Sequence, residues 1–299
     1  MIFAPQQDTA LHVTARHNTT RHIMQPGIYP DLDSRDYHAL PGASASRLRK
    51  LWQSTPAHLK AEMDSPKESD ALKLGTLAHH VILEPDKPIP NLVTPPDEYA
   101  PGKKWTYAAT ACKEWRASQE RAGNTVLTAD EYDSLFGMVR SIAEHSMAAS
   151  TLECGRSELT CLVHDSTNNI DVRCRLDFVP DGRDFLVDFK TAQSASEHDF
   201  ERHAFTLGYH IQAALYLDVW NALAGSDDRR TGFRFVAVEK APPYAVNVFD
   251  ASPEFISRGR ADYKRALATF ARCVAEDHWP AYSPDVKPLG LPRFAEYID

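Results

Sequence analysis

The chain has little cysteine, and its cysteines are not spaced for disulfides or metal binding. Its 299 residues include five cysteines, an odd number, and no two of them form a C-x-x-C pair. A disulfide framework and a cysteine-rich zinc site are therefore not expected. Unpaired cysteines are typical of reducing compartments, so we expect a cytoplasmic location.

Long apolar runs, internal repeats and low-complexity blocks are also missing. No apolar run approaches the roughly 18 residues that cross a bilayer, and no secretory signal segment opens the chain. Hydrophobic residues make up 43% and charged residues 25%, which is the globular range and excludes a disordered or coiled-coil protein. We expect residues 1–25 to be a disordered tail and residues 26–299 to form a single domain.

The chain also lacks an excess of basic residues. Lysine and arginine number 33 against 41 aspartate and glutamate residues, for a formal net charge of −8. This balance argues against a histone-like protein that coats nucleic acid through bulk charge. It does not exclude an enzyme with a local basic channel, because there the distribution of charge matters more than its sum.

The chain changes character near residue 150. Before that point, apolar residues recur at helical spacing and are separated by prolines and capping residues. Helices are predicted at 44–55, 70–83, 106–122 and 129–148, with a proline-rich loop at 85–103. After it, strands are predicted at 157–164, 170–179, 184–190, 232–239 and 244–249, and helices at 196–222 and from Ser252 onwards. The order predicts an α/β domain with a helical N-terminal half, 26–150, and a sheet-containing core, 151–299.

Two aspartates flank a predicted hairpin turn. Asp177 and Asp188 are equidistant from the turn at 180–183, so antiparallel pairing sets them opposite or within a residue or two of each other. At about 5 Å two carboxylates repel, and a divalent cation with oxygen ligands resolves the conflict economically. Lys190 would share the face of Asp188 and could orient a metal-bound water. The same residues also fit a strand end and a solvated edge.

Other polar residues have a structural interpretation beside a functional one. His79 and His80 lie on a predicted helix and form no H-x-x-x-H zinc pair, and a helix histidine is more often structural than a ligand. Gln212 and Tyr216 are i and i+4 neighbours and share a helix face, which by itself is a polar stripe. Glu158 opens the first strand of the core, where a surface role is the default.

Taken together, these pieces resemble the RecE-type (exonuclease VIII) branch of the PD-(D/E)XK nuclease superfamily. The resemblance runs from about Gly27 to the C-terminus and rests on the order and spacing of short motifs. They are G-I-Y at 27–29, D-Y-H at 36–38, S-A-S at 44–46, T-P-A at 55–57, L-G-T at 74–76 with His79, L-E-P at 83–85, C-R-x-D at 174–177, D-x-K-T at 188–191, Q-x-x-x-Y at 212–216, W-P at 279–280 and L-P-R at 291–293. It implies a restriction-endonuclease-like fold, a mixed central β-sheet flanked by helices.

The resemblance also implies a role for each matching residue. His79, Asp177 and Asp188 would ligate a catalytic Mg²⁺, for which Mn²⁺ can substitute, together with the backbone carbonyl of Phe189. Lys190 would be the catalytic lysine. The remaining implied site residues are Glu158, as an acid that helps to hold a second metal, and Gln212 and Tyr216, which would border the active site and contact the scissile end of the DNA.

The activity that the resemblance implies is a Mg²⁺-dependent exonuclease on linear double-stranded DNA. It would digest the 5′-ended strand and leave 3′ single-stranded tails for a RecT-like annealing partner. A ring-shaped homotetramer with a central DNA channel is also implied. The open alternatives are a structure-specific or single-strand nuclease of the same superfamily, an inactive DNA-end-binding scaffold and a metal-independent binding protein.

Contacts to the phosphate backbone require local basic groups, and Arg175 is the candidate that we favour. It shares the predicted strand face of Asp177 with Arg173. Other candidates are Lys103 and Lys104 in the long loop, Arg47, Arg49 and Lys50 on an early helix, and Arg258, Arg260, Lys264 and Arg265 on the last helix. Each of these also fits a solvated surface.

Overall fold

The computed structural model describes residues 24–65, 70–89 and 91–291. The expected disordered tail, apart from its last two residues, and the end of the L-P-R motif therefore lie outside the described residues. The helices are α1 (Ser34–Ala39), α2 (Ala45–Gln53), α3 (Pro56–Asp64), α4 (Asp70–Leu83), α5 (Thr110–Arg121), α6 (Ala129–Glu144), α7 (Ser146–Thr151), α8 (Glu197–Thr206), α9 (Tyr209–Leu223) and α10 (Pro253–Glu276). The strands are β1 (Gly27–Tyr29), β2 (Leu92–Val93), β3 (Glu98–Ala100), β4 (Lys103–Lys104), β5 (Thr125–Val126), β6 (Gly155–Asp165), β7 (Ile170–Pro180), β8 (Phe185–Ala192), β9 (Gly232–Glu239) and β10 (Val246–Asp250).

Six strands of the described chain form one mixed sheet in the order β1-β6-β7-β8-β9-β10. Neighbouring strands are antiparallel, except that β8 and β9 are parallel. A tight turn joins β7 to β8, and its Gly182 has a φ of +63°, a conformation that glycine adopts without strain. α8 and α9 cross between β8 and β9, as a parallel pair requires. The predicted α/β fold, with a mixed central sheet flanked by helices, is confirmed.

Helices cover both faces of this sheet. On one face, α2, α9 and α10 pack around a core that includes Leu48, Trp220 and Tyr263, each at most 1% exposed. On the other face, α4 and α6 pack around Met138 and Phe189, which are fully buried. The N-terminal half therefore supplies helices to both faces. None of the helices within the described ranges combines the length and the hydropathy of a membrane span.

The segment predicted as one helix at 196–222 is two helices. α8 ends at Thr206 and α9 begins at Tyr209, because Gly208 between them has a φ of +73° and stops the first helix. A Cβ at Gly208 would lie 3.0 Å from the Arg49 side chain, so glycine also permits this close approach. Apolar residues continue across the break, which is why the pattern alone did not reveal it.

Further differences lie in the N-terminal half. The helix predicted at 129–148 ends at Glu144, where the His145 side chain accepts a bond from the Ala148 amide and begins α7. Pro56 follows α2 as a helix stop, but it also begins α3, since a proline at the first helical position needs no N–H. The predicted loop at 85–103 contains the short strands β2 and β3.

We expect Gly259→Ala to destabilise the protein by about 3 kcal/mol, the upper range for overpacking a core. α10 crosses α9 so closely that a Cβ at Gly259 would overlap the His210 carbonyl and contact Ala214. Chemical denaturation monitored by circular dichroism would measure the loss. Gly225→Ala is the matched control, because a Cβ there meets nothing within 4 Å. Equal stability of the two variants would contradict this packing.

Candidate active site

The two predicted metal-binding aspartates lie on the β7–β8 hairpin. Phe178 pairs with Val187, and this register sets Asp177 opposite Asp188, as the hairpin spacing predicts. Asp188 is fully buried and Asp177 is 9% exposed. The Phe189 amide donates to Asp177 Oδ2 at 2.9 Å, so the carboxylate itself bridges the two strands. Two acids are thus held in the protein interior, where charge requires a partner.

α4 and β6 bring two further ligand candidates to Asp177. His79 Nδ1 lies 3.5 Å from Asp177 Oδ2 and 4.0 Å from Glu158 Oε1. One ligand atom from each of the three residues falls within 4.8 Å of the others. His79 also hydrogen-bonds the main chain of Phe189, the residue whose carbonyl is a predicted ligand. This part of the described chain therefore offers the nitrogen and oxygen donors of a divalent metal site.

The electrostatics of this group fit a divalent cation. Burial and the neighbouring Asp188 charge raise the pKa of Asp177 well above its ordinary value. Burial raises the pKa of Glu158 as well. Burial and the Lys190 charge lower the pKa of His79 to about 4, so its ring is neutral and can act as a ligand at neutral pH. A bound divalent cation would stabilise the ionised form of the buried Asp177 carboxyl.

Asp188 is directed toward a different set of partners. Its Oδ2 lies 2.5 Å from Lys190 Nζ, and its Oδ1 accepts a hydrogen bond from the Gln212 amide. Lys190 therefore shares the face of Asp188, as the strand period predicts. Burial lowers the pKa of Lys190, but Asp188 and nearby negative groups outweigh that effect, and the net pKa is raised. Lys190 is thus an ammonium ion at neutral pH, suited to stabilise charge and not to remove a proton.

α9 presents Gln212 and Tyr216 to the site on one face, as predicted. Gln212 Oε1 lies 3.3 Å from Lys190 Nζ and 3.4 Å from Arg49 Nη1, so one amide joins the lysine, Asp188 and an arginine of α2. Tyr216 is buried, and burial raises its pKa well above the ordinary value, so its hydroxyl stays protonated.

Arg175 lies in the same region and contacts an acid. Its Nε is 2.5 Å from Glu158 Oε2, and its Nη1 donates to the Leu32 carbonyl at 2.9 Å. Arg173 is buried, with its guanidinium 4.6 Å from the centre of the Tyr37 ring. Arg175 therefore orients Glu158 beside His79, whereas Arg173 anchors α1 to the sheet.

The other predicted phosphate contacts are dispersed. Several are paired with acids: Arg258 and Arg265 with Asp262, Arg260 with Asp218, and Lys50 with Glu62. Arg47 donates to the Gly42 carbonyl, and Lys103, Lys104 and Lys264 are exposed. Arg49 is the member of this set that contacts Gln212.

Tyr209 and Lys240 are residues of the site that were not singled out by the sequence patterns. The Tyr209 ring lies beside Lys190 and Arg49. Tyr209 precedes Gln212 by three residues, and this helical spacing could have indicated that the two share a face. Lys240, at the end of β9, lines the same cleft. No spacing rule links Lys240 to the acids, because β9 reaches them only through the parallel pairing with β8.

Most of the site residues line one cleft of about 1240 Å³, but the fully buried Asp188 is not among its lining residues. α4 and α9 contribute His79 and Gln212 to its lining, and α5 and β5 contribute Glu120 and Thr125. Pockets for small molecules are about 300–1,000 Å³, so the cleft exceeds the usual size.

Comparison with known proteins identifies the family. Residues 44–288 match the PDDEXK-like domain of unknown function (DUF3799). No curated protein matches the chain. The fold resembles that of a candidate exonuclease from Eubacterium rectale, with a TM-score of 0.59 and 10% identity over 89% of this chain and 98% of that one.

Two further solved structures are less similar. A phage-related exonuclease from Haemophilus somnus 129PT has a TM-score of 0.34 and 12% identity, over 81% of this chain and 99% of that one. An alkaline exonuclease from Laribacter hongkongensis has a TM-score of 0.29 and 13% identity, over 57% and 87%. The family match spans most of the chain, from α2 through α10. The chain therefore belongs to the PDDEXK-like domain family of unknown function, and its fold is that of the PD-(D/E)XK nuclease superfamily.

Proposed function

We propose that this protein is a Mg²⁺-dependent exodeoxyribonuclease that acts on linear double-stranded DNA. One observation supports this more than any other: a hairpin holds two buried aspartates beside a histidine, with a half-buried lysine two residues beyond the second aspartate. Membership of a PDDEXK-like family supports phosphodiester hydrolysis as the reaction class. The size of the cleft suits a polymeric substrate.

Different residues of the site would perform different parts of the reaction. His79 and Asp177, with the Glu158 and Asp188 carboxylates, would hold a Mg²⁺ ion, which supplies a Lewis acid and a water of lowered pKa. Lys190 stabilises the charge that develops on the phosphate, because its pKa stays high and its ammonium is held in place. Gln212 fixes the direction of the Lys190 side chain through its Oε1 atom.

The RecE-type resemblance supports proposals for the polarity of cleavage, the protein partner and the oligomeric state. We propose digestion of the 5′-ended strand, which leaves 3′ single-stranded tails for a RecT-like annealing protein in DNA recombination. We also propose a homotetrameric ring in the cytoplasm, with the excess acid outside and basic residues along the channel. Release of label from 5′-labelled or 3′-labelled duplexes would decide the polarity, and native mass spectrometry would decide the number of subunits.

We expect cleavage of linear duplex DNA in Mg²⁺ or Mn²⁺ and none after chelation. Closed circular duplex should remain intact, since an exonuclease needs an end, and chelation should leave DNA binding largely unchanged. Gel analysis of linear duplex, circular duplex and single strands in parallel would make the comparison. Cleavage of the circle or preference for single strands would favour another nuclease of the superfamily. Binding to ends without cleavage in either metal would favour an inactive scaffold.

A further inference from the structure

The Tyr209 ring lies against two cations that meet at Gln212. Lys190 Nζ is 4.7 Å from the ring centre, and Arg49 Cζ is 5.8 Å from it. The same two groups approach Gln212 Oε1 at 3.3 and 3.4 Å. An aromatic face attracts a cation within about 6 Å, more strongly where water is displaced. One ring and one amide oxygen thus hold together two like charges that would otherwise repel.

The ring itself is held firmly. Gly208 ends the preceding turn in a left-handed conformation and makes Tyr209 the first residue of α9. The ring stacks on Phe235, with centroids 5.8 Å apart and planes 26° apart, and lies 6.3 Å from the Phe200 ring. Phe235 is the β9 partner of Asp188 in the sheet. The position of the ring is therefore tied to the strands that carry the site.

We propose that Tyr209 is a positioning residue for the cleavage step, whose aromatic face keeps the Lys190 ammonium in place beside Arg49. This inference rests on the proposed nuclease function. Lys190 has three contacts in the described site, namely Asp188, Gln212 and the Tyr209 ring. Asp188 is also a candidate metal ligand, so the ring is a contact that metal binding leaves in place. Cations that are already positioned need no reorganisation when charge develops on the phosphate.

The test compares Tyr209→Phe, which keeps the ring, with Tyr209→Leu, which removes it, in the full chain. Phe249→Leu is the matched control: Phe249 is a half-buried ring of the same cluster, stacked on Phe200 at 4.6 Å. Single-turnover cleavage of linear duplex DNA in Mg²⁺ measures the chemical step. Fluorescence anisotropy with a chelator present measures the Kd for the same DNA.

We expect Tyr209→Leu to slow cleavage about tenfold, from the loss of a partly buried cation–π contact. Tyr209→Phe should stay within about threefold of the parent rate, and Phe249→Leu should cleave like the parent. Kd should change less than about twofold in all three, since the ring acts on the chemical step. The proposal would be overturned if Tyr209→Phe lost as much of the cleavage rate as Tyr209→Leu. It would also be overturned if Tyr209→Leu weakened DNA binding without slowing cleavage.

A crystal structure of Tyr209→Leu gives a second readout that does not need activity. Displacement of Lys190 Nζ from Gln212 Oε1 would support the positioning role, and an unchanged lysine would overturn it. If the parent protein cleaves no DNA, the proposed function fails, and this structure still decides the role of Tyr209.

Discussion

Asp188→Asn is expected to reduce cleavage of linear duplex DNA by about a thousandfold or more, equivalent to about 4 kcal/mol of transition-state stabilisation. The substitution keeps the shape of the side chain but removes the charge that faces Lys190 at 2.5 Å. It also removes a carboxylate that the proposed metal site requires. An asparagine oxygen can still accept the Gln212 hydrogen bond, so we expect the fold to be kept.

The measurement is a time course of cleavage at saturating Mg²⁺, with circular dichroism to verify folding at the assay temperature. Asp181→Asn is the matched control, because Asp181 is an exposed carboxylate in the turn of the same hairpin. It should cleave at the parent rate. If Asp188→Asn cleaves as fast as Asp181→Asn, the active-site assignment is wrong.

Asp177→Asn is expected to stabilise the metal-free protein while it abolishes cleavage. Burial and the Asp188 charge raise the pKa of Asp177, so its ionised form opposes folding at neutral pH. Neutralising it should raise the free energy of unfolding, because a pKa that is raised in the folded state disfavours folding of the ionised form. The Phe189 amide can still donate to the asparagine oxygen. A gain in stability that accompanies a loss of activity is typical of a functional site.

The raised pKa of Asp177 also determines how the stability of the metal-free protein changes with pH. As the pH rises above about 4, an unfolded Asp177 releases its proton while the folded carboxyl keeps it. The folded state then binds more protons, so this group makes the metal-free protein less stable as the pH rises. Asp177→Asn should flatten that dependence in urea titrations from about pH 4 to 8.

Metal binding should stabilise the parent protein, whereas the ionised Asp177 carboxyl destabilises it without metal. Mg²⁺ at a hundred times its Kd would stabilise the parent by about 2.7 kcal/mol, a shift of several degrees in Tm for a chain of this size. Asp177→Asn should show little of this shift in differential scanning calorimetry. Equal Mg²⁺ stabilisation of parent and variant would place the metal elsewhere.

Local patterns predicted much of the fold correctly. The capping box at Thr128 and Glu131 is present at the start of α6, and Ser252 with Pro253 begins α10. These signals act within one helical turn, so neighbouring residues are enough to specify them. The single helix predicted at 196–222 was wrong, because one left-handed glycine outweighed a continuous apolar pattern.

The sequence by itself determined the hairpin and its register. The equal distances of Asp177 and Asp188 from the turn set them opposite each other, and the period of two in a strand put Lys190 on the face of Asp188. These relations depend only on chain connectivity and backbone geometry. The RecE-type motifs added the expectation that a distant histidine and a distant glutamine would join them.

Only the tertiary structure decided which groups meet at those acids. His79 arrives on a helix about a hundred residues earlier in the chain, and Arg49 meets Gln212 across 163 positions. The structure also set Glu158 beside His79 and turned Asp188 toward Lys190 and Gln212. No periodicity links such segments, because their contacts depend on which helix faces pack against the sheet and on the break at Gly208. Those packing choices, made far from the hairpin, convert two opposed aspartates into a candidate metal centre.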